Sequence, residues 1–380
     1  MLNLPFQRVA VLTSHLATGD AVSNDVVGMS EALVRSGMEA KIFAGSWDIA
    51  DSVVAPLSEI HEFLNDAADL LIYHYSIEWR PGLELLASLS CRTAIKYHNV
   101  TPPEFFVGIS PWHEEKCRAG REGLLDIVKL GCDLYLSDSE FNRQELIALG
   151  VSDTCCLVVP PFHHIDRLQA VEPDMDVLDE YRDGKTNILM VGRVAPNKGH
   201  LALIEAFAIY HHDYNRESRL FIVGKEEQAF EIYSKRLREL TDFLVIENSV
   251  LFVGEASDSE LKSYYLLSSA FAIASEHEGF CVPLVEAMSM KVPAIAYASS
   301  AIPATIGGAG LLLSERDPRL MAQALDSLIR NEQLNFDLGL MGWRRYERNF
   351  SNDRIEAELI GALGKLEELP RRNRVTGPDR

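Results

Sequence analysis

The 380-residue sequence is short of positive charge: 36 Lys and Arg stand against 56 Asp and Glu, a formal net charge of −20. Nucleic-acid backbones are held by Lys and Arg that neutralise phosphates, so this balance argues against nucleic acid as the main partner. Long apolar runs are also lacking. None approaches the ~18–20 residues that a membrane span needs. Met1–Gln7 has neither the basic start nor the apolar core of a secretory signal. A cytoplasmic protein is expected, at most peripheral at the inner face of a membrane. The six cysteines, Cys91, Cys117, Cys132, Cys155, Cys156 and Cys281, form no Cys-x-x-Cys pair and do not alternate with His at zinc spacing. Reduced core thiols are the expectation. No Gly-x-Gly-x-x-Gly follows the first strand candidate, which argues against an NAD enzyme. No Asp-x-Asp stands at a strand end, since Asp174-Met-Asp176 falls in a polar stretch. Neither a metal nor a cofactor is expected.

What is present reads as two domains, the natural prior for this length. Short runs that are apolar on both faces, as buried parallel strands are, occur at 8–12, 40–44, 70–75, 93–97 and 134–137. Helical stretches lie among them at 22–37, 121–131 and 140–150. A polar stretch with Pro160, Pro161 and Pro173 reads as a linker over 160–184. The alternation then restarts, with strands at 187–191, 220–223, 250–253, 270–274 and 292–297 and helices at 200–211, 258–267 and 283–290. The tail reads as helices at 319–330, 335–350 and 353–369. The α/β pattern predicts two doubly wound domains: 1–165, 166–348, a C-terminal helix over 349–370 crossing back to the first domain, and a frayed end over 371–380.

Two loops carry the chemistry. Val191-Gly-Arg-Val-Ala-Pro-Asn-Lys-Gly199 joins a buried strand to a helix. Ligands bind at the carboxyl ends of such strands. Gly192 lets a ligand approach the backbone, and Arg193 and Lys198 put two cations beside a helix N-terminus, which suits a diphosphate. Standing alone, this turn reads more readily as a solvated surface loop, because such short motifs match often. The second loop shifts the balance. Ser275-Glu-His-Glu-Gly-Phe-Cys-Val-Pro-Leu-Val-Glu286 follows another buried strand, with Pro283 suited to a first helical turn. Glu278 in the loop could bind sugar hydroxyls, and Glu286, about a turn into the helix, the vicinal hydroxyls of a ribose.

These stretches resemble the signatures of retaining family 4 glycosyltransferases of GT-B fold. Glu278 and Glu286 match that family's Glu-x7-Glu spacing, Val191–Gly199 its phosphate loop, and Phe252-Val-Gly254 its segment beside the base. The resemblance covers nearly all of the C-terminal half and, more weakly, the N-terminal half. It implies two Rossmann-like domains facing a central cleft, with Arg193 and Lys198 on the leaving diphosphate, Glu278 on the donor sugar and Glu286 on the ribose. Phe280, Cys281 and Val282 would line the donor site with Gly192. In the N-terminal half, His98 of Tyr97-His-Asn99 would stand at the reacting sugar, and Gly19 takes the place of the family's glycine-rich first loop. Cys281 stands where the family usually has glycine, Ala304 where it often has Glu, and the first loop has one glycine rather than two. Thr101-Pro-Pro-Glu-Phe-Phe106 could touch an acceptor or pack in a core, and the arginine-rich tail could touch anionic lipid.

The implied reaction is transfer of a hexosyl unit from a nucleotide-diphosphate sugar to a glycan or lipid-linked glycan. GDP-mannose is favoured, through likeness to bacterial surface-polysaccharide mannosyltransferases. The alternatives are a UDP-hexose donor, or an epimerase acting on a nucleotide sugar.

Overall fold

The computed structural model describes residues 6–48 and 54–371; the end of the tail, read from sequence as frayed, lies outside the described residues from position 372 on. Two compact units are present. The first comprises Met1–Pro103, Trp112–His163 and Asn352–Arg380; the second comprises Glu104–Pro111 and His164–Ser351.

The first unit is built on seven parallel strands: β1 (Arg8–Leu16), β2 (Glu39–Trp47), β3 (Val54–Ala55), β4 (Leu70–Tyr75), β5 (Arg92–Tyr97), β6 (Leu134–Ser137) and β7 (Cys156–Val158). Their order is β3-β2-β1-β4-β5-β6-β7. Successive strand residues point to opposite faces, and each face meets its own core. Val9 and Val11 of β1 join one apolar cluster, and Ala10 and Leu12 the other. Leu70 and Ile72 of β4 divide from Leu71 and Tyr73 in the same way. The first of these clusters is covered by helix Ala21–Arg35, through Val26, Met29 and Leu33, and by the C-terminal helix Asn352–Gly364, through Ile355, Leu359 and Leu363. Both triplets follow helical spacing, and the second carries the C-terminal helix back onto the first unit.

The second unit has six parallel strands: β8 (Thr186–Val191), β9 (Ser218–Val223), β10 (Val250–Gly254), β11 (Ala270–Ile273), β12 (Ala294–Tyr297) and β13 (Gly310–Leu313), ordered β10-β9-β8-β11-β12-β13. In both sheets the winding reverses beside the first strand, between β1 and β4 and between β8 and β11. Such switch points are where doubly wound sheets open a crevice at the strand ends. The two loops singled out from sequence leave from β8 and β11.

Several sequence expectations are corrected here. The stretch 160–184 is not a loop: it holds helices Ile165–Ala170 and Met175–Tyr181. Ile165 and Leu168 are fully buried in the second unit's core, which is what holds these short helices. Asp174 caps the second of them by accepting from the Val177 N–H, so Asp174-Met-Asp176 is a helix start. The helix read from Arg121 begins at Pro111. Strands β7 and β13 and helices Arg80–Ser88 and Glu231–Phe243 were not read from sequence. Five of the six cysteines are buried, and Cys117 is half-buried. No helix among the described residues is long and apolar enough to cross a membrane.

Candidate functional site

The carboxyl ends of β8 and β11 are laced together by small residues. At Gly224, just after β9, a Cβ would lie 2.0 Å from the Gly192 carbonyl oxygen; at Gly199 it would lie 2.0 Å from that of Ala274. Gly199 also has φ +71°, a left-handed conformation that glycine enters without strain. Asn197, buried between the loops, donates from Nδ2 to the His277 carbonyl at 3.1 Å. Its own carbonyl accepts from the Glu276 N–H at 2.8 Å. This lacing brings Lys198 against Glu278: Nζ donates to both carboxylate oxygens at 2.9 Å. The Glu278 N–H in turn donates to Ser300 Oγ at 2.7 Å. Arg193 points to the exposed side and donates to Glu227 Oε1 at 2.8 Å. Both predicted cations are therefore held by carboxylates, one pair nearly buried and one exposed.

Cys281 caps helix Val282–Ser289 with φ +77° and ψ +70°. That conformation costs an L-residue roughly 1–2 kcal/mol, which is the physical reason a glycine suits the position. The thiol is buried, and burial, aided by the Glu278 charge, pushes its pKa well above the ordinary value. Its thiol is thereby disfavoured as a thiolate. Phe280 is fixed by Thr305, whose hydroxyl donates to the Phe280 carbonyl at 2.7 Å. Val282 opens the helix, and Pro283 occupies its first turn. One turn on, Glu286 is buried with Tyr265 Oη donating to Oε2 at 2.7 Å. His164 Nε2 lies 3.6 Å from Oε1. Burial raises the Glu286 pKa, and the His164 and Tyr265 contacts partly offset it. Sequence reading missed Tyr265, His164, Ser300 and Glu227; none lies in a recognisable motif. Phe106 is buried and stacked on Phe230 at 5.7 Å, so this aromatic of the 101–106 stretch is a packing residue of the second unit.

In the first unit, Gly19 precedes helix Ala21–Arg35, whose cap Asp20 accepts from the Ser23 N–H. His98 follows β5 and enters a cluster that sequence reading did not foresee. His98 Nδ1 lies 2.9 Å from Asp138 Oδ2, and Nε2 lies 2.9 Å from His74 Nδ1. Lys96 Nζ pairs with Asp138 Oδ1 at 2.6 Å and donates to the Val159 carbonyl. Asp25 accepts the Phe162 N–H on Oδ1 at 2.7 Å. Its Oδ2 lies 3.6 Å from both imidazoles and 3.7 Å from Lys96 Nζ. Burial opposes the charge on Asp138, but His98 and Lys96 outweigh it and lower its pKa. At Asp25 burial prevails and raises it. Burial, with the positive neighbours, drives the His74 pKa well below the ordinary value.

Two doubly wound parallel sheets, each with a switch point beside its first strand, are the elements of the GT-B fold. Residues 179–340 match the family described as glycosyl transferases group 1. It is 27% identical over 218 residues to a D-inositol 3-phosphate glycosyltransferase of Corynebacterium jeikeium, covering 54% of this chain and 51% of the relative. It is 25% identical over 254 residues to the mannosylfructose-phosphate synthase of Agrobacterium fabrum, covering 64% and 55%. The chain thus spans about half the length of the curated relatives it matches. Among solved structures, Anabaena HepE in complex with UDP-glucose superposes with a TM-score of 0.70 at 16% identity, over 94% of this chain and 99% of that one. That likeness establishes the fold.

Proposed function

We propose that this chain is a retaining, metal-independent hexosyltransferase. It takes a hexosyl unit from a nucleotide-diphosphate sugar and passes it to a glycan or lipid-linked glycan, in the assembly of bacterial surface polysaccharide. The observation that carries this reading is the Lys198–Glu278 pair, 2.9 Å on both oxygens, at the β8/β11 switch point.

The chemistry follows from the pair. As the sugar–phosphate bond breaks, negative charge grows on the leaving diphosphate, and preorganised cations there lower the barrier. Lys198 and Arg193 supply them. A diphosphate competes with Glu278 and Glu227 for those cations. Once Lys198 turns to phosphate, the Glu278 carboxylate is available to accept from sugar hydroxyls. Gly192 gives the phosphates close access to backbone, while Phe280, Cys281 and Val282 line the sugar. Glu286, held by Tyr265, takes the ribose hydroxyls. His98 is the N-terminal unit's contribution at the reacting sugar, and Gly19 lies on the loop that meets phosphate or acceptor. Both His98 ring nitrogens are engaged within the first unit, so contact with a sugar requires Nε2 to exchange His74 for the substrate.

The preferred donor is GDP-mannose, in keeping with the resemblance to mannosyltransferases and with the name of the Agrobacterium relative. A UDP-hexose is the second reading, favoured by the UDP-glucose complex of HepE. The reaction belongs to the cytoplasm or the cytoplasmic face of a membrane. The test is a thermal-shift screen with GDP-, UDP- and ADP-sugars, followed by donor turnover with candidate acceptors. A ligand at 100 times its Kd stabilises by about 2.7 kcal/mol, so a true donor gives a clear shift. No shift with any of the three nucleotides defeats the reading. Epimerised free nucleotide sugar, formed without acceptor, replaces transfer by isomerisation.

A further inference from the structure

Asp25, His74 and Asp138 converge on His98. Asp138 is an ionised carboxylate and can only accept, so His98 Nδ1 carries the hydrogen between them. His74 Nε2 faces the Met29 sulfur at 3.4 Å and donates to it. On the other side of the two rings, His74 Nδ1 and His98 Nε2 face each other at 2.9 Å. Asp25 Oδ2 points at the same spot, 3.6 Å from each, buried and without a hydrogen-bond partner. The Lys96 ammonium is 3.7 Å from Asp25 Oδ2 and closer to Asp138, so it does not donate to the Asp25 oxygen. A buried carboxylate oxygen in that condition is costly. Protons can satisfy these atoms only separately, one between the two nitrogens and one on Asp25 Oδ2. A metal ion satisfies all three atoms.

We propose that Asp25, His74 and His98 form a binding site for a first-row divalent metal ion. The three ligand atoms lie within 4.8 Å of one another. A tetrahedral ion with bonds of 2.0–2.1 Å needs ligand atoms about 3.3–3.4 Å apart, and the observed separations of 2.9, 3.6 and 3.6 Å bracket that value. Imidazole ligands suit zinc, cobalt, nickel and copper over magnesium or calcium. The surroundings are those of a supported site. Asp138 fixes the His98 tautomer as the outer carboxylate of a carboxylate–histidine–metal chain, Met29 fixes that of His74, and the Phe162 N–H orients Asp25. Three protein ligands leave a fourth position open. The ligands come from helix Ala21–Arg35, β4 and the segment after β5, so an ion would also tie the first unit's switch-point elements together. Resting on the reading of His98 as a reaction-site residue, occupancy withholds its Nε2 from substrate and slows transfer.

The test uses the full chain, stripped with a chelator and titrated with Co2+. The expected result is one equivalent bound, with the visible bands of a low-coordinate imidazole site, displaced by Zn2+. Asp138→Asn weakens binding roughly 10–100-fold, and His74→Gln weakens it by at least tenfold with an unchanged circular-dichroism spectrum. No Co2+ or Zn2+ bound by the wild-type chain at millimolar concentration overturns the proposal, whatever the variants do. So does unaltered binding in His74→Gln, or imidazole NMR signals that titrate with acid and ignore Zn2+. Bound metal with undiminished transfer keeps the site and removes His98 from the reaction, which separates the two readings.

Discussion

Replacing Glu278 by Gln unpairs Lys198 in a place where water barely reaches. The side chains are 18% and 6% exposed, and both Nζ–O distances are 2.9 Å. Exposed ion pairs contribute ~0–1 kcal/mol, and breaking a fully buried pair costs ~3–5 kcal/mol. This pair stands between the two, because Lys198 keeps some contact with solvent. A loss of about 2–3 kcal/mol is expected for either Glu278→Gln or Lys198→Met. For a unit of this size each kcal/mol moves Tm by roughly 2–4 °C, so either single variant should melt roughly 4–12 °C lower. The double variant Lys198→Met with Glu278→Gln leaves no unpaired charge. It should be more stable than the sum of the two losses predicts, by about 1–3 kcal/mol of coupling. The assay is urea or thermal unfolding of all four proteins at low and high salt, with donor turnover measured alongside. All three variants should lose donor turnover, including the double variant that regains stability. Additive losses refute the pair as drawn. Full turnover in both single variants refutes the site.

Other outcomes follow from single positions. Cys281→Gly trades left-handed strain against lost thiol burial and should change stability by no more than ~1 kcal/mol, whereas Cys281→Val puts a β-branched residue at φ +77° and should cost ~2 kcal/mol or more by urea titration. Gly199→Ala should fold poorly or lose ~3 kcal/mol or more, since its Cβ meets the Ala274 carbonyl at 2.0 Å; wild-type Tm in that variant would show the two loops are not in contact. His200 is buried, and burial, with Lys198's charge second, lowers its pKa to about 3. The unfolded chain therefore takes up this proton near pH 6.5 while the folded chain stays neutral. The stability is complete above pH 6.5 and is lost as pH falls toward 3, by about 2 kcal/mol between pH 6.5 and 5. His200→Leu should remove that part of the slope in unfolding curves at the two pH values. Glu286 has the opposite bias: its raised pKa gives stability that is present at low pH and lost as pH rises, so Glu286→Gln should exceed wild type in Tm at pH 7 and match it below pH 4.

The strands and loops of the second unit were legible because their information is local. Buried parallel strands read as apolar runs, and Glu278 and Glu286 belong to one continuous loop and helix. The cluster around His98 was not legible, because Asp25, His74, Lys96, His98 and Asp138 come from separate elements that only the neighbouring positions of β1, β4, β5 and β6 bring together. One signal was available. His74 stands in Leu-Leu-Ile-Tyr-His-Tyr and Lys96 in Thr-Ala-Ile-Lys-Tyr, ionisable residues within runs otherwise read as fully buried. A buried charge requires a partner, and two of them one strand apart at the same height predict a polar pocket. The stretch 160–184 misled in the reverse sense. Its prolines and acids mark a loop, but Ile165 and Leu168 share a face that the second unit's core absorbs.

The C-terminal helix has a consequence for biosynthesis. Ile355, Leu359 and Leu363 close a core whose other walls are laid down by the first strands of the chain. As the chain leaves the ribosome, the first unit is begun first and completed last, after the whole second unit has been made. Until then the face of β1, β4 and helix Ala21–Arg35 that these residues cover lacks its lid. A fragment ending near residue 165 would keep that face bare, and a fragment ending near residue 351 would carry a finished second unit beside an unfinished first. The last described turns of the chain are therefore the step that commits the whole molecule to its native state.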